Sequence, residues 1–121
     1  MTFIFEELKV YQKALDFAVS VVNIVDEIEA PRKHYRLIEQ LEASSTSVAM
    51  NISEGQGRFS KKEFKRFLYI ARGSLYETVT VLQIFKKLNW LDKKSYENLY
   101  LEAVEINKMI SGLINSIKFS N

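Results

Sequence analysis

Four runs of apolar residues recurring at alternating three- and four-residue steps constrain this chain to long amphipathic helices. The first spans about Phe5 to Glu29, with Leu8, Tyr11, Leu15, Ala18, Val22, Val25 and Ile28 on one stripe. A second follows Pro31, a residue suited to a first helical turn, and aligns Leu37, Leu41, Ser44, Val48 and Ile52 before Gly55 and Gly57 end it. The third opens at Ser60-Lys61-Lys62-Glu63, which reads as a capping box, with a stripe of Phe64, Phe67, Leu68, Ala71, Leu75, Thr78, Leu82 and Phe85. The fourth starts at the N-cap Asp92 and carries Tyr96, Leu99, Ala103, Ile106, Ile110, Leu113 and Ile117.

Breakers are scarce: the 121 residues include four glycines and one proline. The connections therefore fall at 30–34, 55–60 and 89–92, and connections this short join antiparallel neighbours. An all-α, antiparallel up-down-up-down four-helix bundle follows, as a single domain over residues 1–121. The chain lacks cysteine, so disulfides, thiolate metal sites and thiol catalysis are excluded. Its apolar runs are too short to span a bilayer, and its start has no basic leader. A cytoplasmic protein is the expectation.

Charge is segregated along this scaffold. Residues 1–30 hold two basic and six acidic side chains, whereas residues 56–72 hold six basic ones against Glu63 alone. On a helical wheel Lys61, Lys62, Lys65, Tyr69 and Arg72 share about a third of the third helix, opposite its core stripe, and Arg58 can extend the strip. Cations with a tyrosine among them suit phosphates and an unpaired base. The other reading is a solvated face that pairs with an acidic first helix of a neighbour. Lys86, Lys87, Lys93 and Lys94 form a second basic group near the opposite turn.

The third helix carries another stripe, Ile70, Gly73, Glu77, Val81 and Ile84, displaced from the core line. Mid-helix glycine costs about 1 kcal/mol relative to alanine, a cost offset by close approach of another backbone. That stripe is a candidate oligomer interface, although both of its partners can lie within one bundle.

Catalytic chemistry finds little support. His34 is the sole histidine, and Pro31 stands where a di-iron Glu-x-x-His motif needs its glutamate. Asn51, Glu54, Glu63 and Glu77 can be drawn as a carboxylate site, but capping and pairing with Arg58, Arg66 or Arg72 explain them better. Ser44 to Ser47 read as small residues permitting close packing, and Gly55-x-Gly57 lacks the strand that precedes a phosphate loop. No catalytic residue, metal, cofactor or small-molecule substrate is assigned.

Two stretches resemble a known family. Phe5 to Ala14 is similar to an opening F-E-x-L-x-V-[WY]-Q-K-A, and Asn51-Ile52-Ser53-Glu54-Gly55 with Ser60 to Glu77 resembles the signature of the S23 family, encoded in intervening sequences of bacterial 23S ribosomal RNA genes. The resemblance covers essentially the whole chain. It implies a four-helix bundle assembling as a ring-shaped homopentamer, and it extends to basic pentameric accessory proteins of diversity-generating retroelements, which work with RNA. Two positions depart from the family pattern: Glu42-Ala43 replaces an arginine pair, and Ala49 replaces a proline. The combined expectation is a non-enzymatic, homo-oligomeric scaffold presenting basic surfaces to RNA or another nucleic acid. The alternative is a protein-interaction oligomer without nucleic-acid affinity.

Overall fold

The structure is a computed structural model that describes residues 2–28 and 34–118. A 3-10 turn (Ile4–Glu7) precedes α1 (Lys9–Val25), α2 (Tyr35–Gln56), α3 (Lys61–Lys87) and α4 (Lys93–Ser116). Each helix packs on the next and α4 returns to α1, with no close backbone approach across either diagonal. This is the expected all-α four-helix bundle. Pro31 and Glu29 lie outside the described residues.

The contact between α2 and α3 is the most extensive. Small residues allow it: Ser44, Ser47 and Gly55 are the α2 residues that meet α3. Buried hydroxyls need partners, and the seam supplies them internally. Thr78 Oγ1 lies 2.9 Å from Ser44 Oγ and 2.8 Å from the Ser74 carbonyl, while Ser47 and Ser74 share a 2.9 Å hydrogen bond. Asn51 Nδ2 donates to the Ser47 carbonyl and hydroxyl. At the end of the seam Gly55 faces Phe67, and a Cβ at position 55 would stand 2.5 Å from Phe67 Cβ. Gly55 is therefore a packing residue inside α2. Of the two glycines expected to end the helix, only Gly57 does so, as the C-cap after Gln56.

The first helix departs from its expected register. Val10, Ala14, Phe17, Ala18 and Val21 are buried, whereas Leu15 and Val22 are exposed. Two apolar lines lie about 100° apart on this helix, and packing against α2 and α4 selects the one containing Phe17. The single helix expected from Phe5 breaks at Leu8, whose extended backbone separates the 3-10 turn from α1.

The third helix ends in a Schellman motif that the sequence reading missed. Asn89 takes φ 61°, its N–H donates to the Lys86 carbonyl, and the Trp90 N–H donates to Phe85 O at 2.9 Å. Asparagine tolerates this left-handed conformation better than most residues, and the Phe85–Trp90 ring contact at 5.3 Å is the hydrophobic pair that accompanies the motif. Asp92 then caps α4, its Oδ1 accepting from Ser95 N at 2.8 Å. That cap is as expected.

Because the Gly55–Phe67 contact leaves no room for a methyl group, Gly55→Ala should cost about 1–3 kcal/mol by overpacking, despite alanine's better helix propensity. Thermal unfolding checks this. An unchanged melting temperature would mean that α3 can retreat from α2 without loss.

Candidate nucleic-acid interface

The turn from α2 to α3 begins with Gly57, whose N–H reaches the Ser53 and Glu54 carbonyls at 3.2 and 3.1 Å. Arg58 turns back to Glu54, donating from Nη2 at 2.7 Å. Ser60 accepts from Glu63 N at 3.1 Å and is the N-cap of α3. Only half of the expected capping box forms, because the Glu63 carboxylate is taken by Arg66 at 3.0 Å. Hydrogen bonding from Arg66 holds the Glu63 carboxyl below its ordinary range and raises the Arg66 guanidinium. Both Arg58 and Arg66 also lie over the Phe67 ring, at 4.8 and 4.7 Å.

Lys61 and Lys62 are exposed, Lys65 is half-buried and Tyr69 is exposed. Arg72 stacks on Tyr69 at 5.0 Å and donates from Nη1 to Ser111 Oγ of α4 at 3.0 Å. The bond to α4 corrects the expected position of Arg72, which sits on the α4 flank of α3 rather than opposite the core stripe. The cause is the α2 contact. With Phe67, Thr78, Val81 and Phe85 buried, the core arc of α3 extends toward α2, and Arg72 borders α4.

The second stripe divides. Ile70, Gly73, Glu77 and Ile84 are exposed, but Val81 is a core residue at 3% exposure, which removes it from the candidate oligomer interface. A Cβ at Gly73 would meet nothing within 4 Å. No contact within the described bundle explains that glycine, whereas Val81 of the same stripe finds its partner inside the protomer.

The remaining candidates are scattered. Among the described residues no acidic or histidine cluster fit for a metal forms, and Asn51, Glu54 and Glu63 each have local hydrogen-bond partners. His34 packs beside Trp90 at 5.1 Å. In the second basic group Lys86 lies over Tyr96 at 4.6 Å and Lys93 approaches Glu97 at 3.9 Å. Sequence reasoning misses the exposed apolar surface of Leu15, Val19, Val22 and Met50 on α1 and α2, because periodicity alone puts Leu15 and Val22 in the core stripe. It also misses a groove between α3 and α4, which joins residues too distant in sequence for periodicity to connect.

A sequence profile described as "23S rRNA-intervening sequence protein" matches residues 6–112. The chain belongs to this family. A crystal structure of a protein of unknown function from the S23 ribosomal protein family of Bacteroides thetaiotaomicron superposes with a TM-score of 0.82. The two sequences are 29% identical, over 88% of this chain and 99% of that one. No curated protein sequence gives a match. Neither similarity indicates an enzymatic family, and no described helix is long and apolar enough to cross a membrane. The turn that carries Arg58 and launches the basic strip lies within the matched region.

Removing the cap at this turn should weaken the fold without abolishing it. Ser60→Ala is expected to cost about 1 kcal/mol and lower the melting temperature by about 4 °C. An unchanged transition would show that the first turn of α3 is held by its other contacts.

Proposed function

We propose that this protein is a non-enzymatic, homo-oligomeric scaffold whose α3–α4 seam binds single-stranded RNA or a similar nucleic acid. The observation that carries this reading is the juxtaposition of Lys61, Lys62 and Lys65 with the stacked Tyr69–Arg72 pair. Cations set beside an aromatic face suit a phosphate backbone with unpaired bases, and Arg72 is oriented in advance by Ser111. Arg58 is a weaker candidate, because Glu54 offsets its charge.

Self-association is supported by a different surface. Exposed Ile70 and Ile84 flank Gly73, whose missing side chain leaves room for a neighbouring backbone. Leu15, Val19, Val22 and Met50 provide a second apolar patch on α1 and α2, and two unlike patches suit the head-to-tail contacts of a ring. This surface also favours the second reading, an oligomer that binds only proteins. Cytoplasmic localisation and a pentameric ring remain parts of the proposal.

Light scattering should give a mass near five times the 14.1 kDa chain. Gly73→Leu should lower that mass while leaving helical content intact, since the new side chain has open space within the protomer. A monodisperse monomer at micromolar concentration contradicts the ring, and an unchanged mass for Gly73→Leu places the glycine outside the contact.

Binding to single-stranded RNA should fall steeply with salt, with a logarithmic slope of roughly −0.7 per phosphate contact. Reversing Lys61 and Lys65 together, as Lys61→Glu and Lys65→Glu, should abolish binding without changing the fold. No detectable binding to RNA or DNA at low salt would leave the protein-only oligomer. Undiminished binding by the double reversal would move the site toward Lys86, Lys87, Lys93 and Lys94.

A further inference from the structure

Phe59 is the most exposed large apolar side chain among the described residues, at 107%. It stands in the turn between α2 and α3, and the residues on both sides of it are held. The Arg58 N–H donates to the Gly55 carbonyl at 3.1 Å, the Arg58 guanidinium turns back to Glu54 and the Phe67 ring, and Ser60 caps α3. Phe59 itself makes no ring contact among the described residues. A hydrogen-bonded turn thus presents one phenyl ring wholly to solvent, where it adds nothing to the core.

The charges beside the ring are an independent observation. Residues 58–62 read Arg-Phe-Ser-Lys-Lys, three cations and no acid. Lys61 and Lys62 are exposed and have no ion-pair partner among the described residues, while the flanking carboxylates of Glu54 and Glu63 are engaged by Arg58 and Arg66. Lysines in the first turn of a helix also face the positive end of its dipole, an unfavourable placement. Neither the bare ring nor the two lysines stabilise this turn. A ligand that is anionic and carries a flat apolar face uses both.

We propose that Phe59 is a stacking platform for one unpaired base of a strand whose phosphates lie on Lys61 and Lys62. The assignment rests on the nucleic-acid reading above and adds to it an aromatic contact at the start of the strip. Tyr69 lies eight residues beyond Lys61, about 12 Å along the helix axis, so a base on Phe59 is not the base on Tyr69. Positive charge beside the ring favours a polyanion with an aromatic face at every repeat, and stacking needs only one face of the phenyl group. Docking into a protein needs a pocket that surrounds it.

The test compares a short single-stranded RNA with the same strand carrying abasic sites, by fluorescence anisotropy at low salt. Wild-type protein should bind the intact strand at least tenfold more tightly, a difference in the range expected for one stacked base. Phe59→Ala and Phe59→Leu should each cut that preference about tenfold, with Tyr69 still in place, and leave affinity for the abasic strand unchanged. Phe59→Trp should keep the preference. All three variants should melt at the wild-type temperature, because the ring is not packed. Equal binding of both strands by the wild type overturns the platform and leaves the strip. Full preference retained in Phe59→Ala also overturns it, placing the stacked base at Tyr69. Full preference in Phe59→Leu alone replaces stacking by a general apolar contact and overturns it too. A lower scattering mass for Phe59→Ala assigns the ring to a second copy of the chain instead. If neither strand binds, the strip and the platform fall together.

Discussion

The close approach of α2 and α3 determines how the rest of the bundle is arranged. It depends on a run of small residues, on hydroxyls that satisfy one another across the seam, and on a glycine opposite Phe67. None of these elements is strong alone. A neutral hydrogen bond adds about 1 kcal/mol, and the larger effect is geometric. Small side chains let α3 sink toward α2, which widens its buried arc to include Val81 and brings Phe67 under the guanidiniums of Arg58 and Arg66.

Rotation of α3 into that seam has a chemical consequence. Arg72 in its first half borders α4, where it is tied to Ser111 and stacked on Tyr69. The guanidinium thereby stands beside an aromatic ring at the edge of α4. The outward line of Ile70, Gly73 and Ile84 remains available to a neighbour. Nucleic-acid binding and self-association are thus assigned to different arcs of a single helix, so neither proposal requires the other surface to be vacant.

Much of this architecture was legible in the sequence, and the failures have identifiable causes. The stripes of α2, α3 and α4 and the caps at Ser60 and Asp92 follow from local chemistry, and the structure agrees with them. On α1, two adjacent apolar lines compete, and only the position of the neighbouring helices decides between Leu15 and Phe17. Gly55 has a similar ambiguity, since a glycine near a helix end serves equally as a stop or as a contact. Glu63 fits a capping box by spacing, yet an arginine one turn later offers it a stronger partner. Val81 was misplaced because the depth of the α2 seam is a tertiary property. The basic residues themselves were found, but the position of Arg72 against α4 depended on a partner at Ser111, far away in the chain.

The account turns on whether nucleic acid lies along the α3–α4 flank. Ultraviolet crosslinking of single-stranded RNA to the assembled protein, followed by mass spectrometry of the peptides, measures that directly. Crosslinks should map to Tyr69 on α3 and to Phe59 in the turn before it, with none on α1. Crosslinks concentrated on α1 and the exposed face of α2, or none on any tyrosine of α3 and α4, would contradict it.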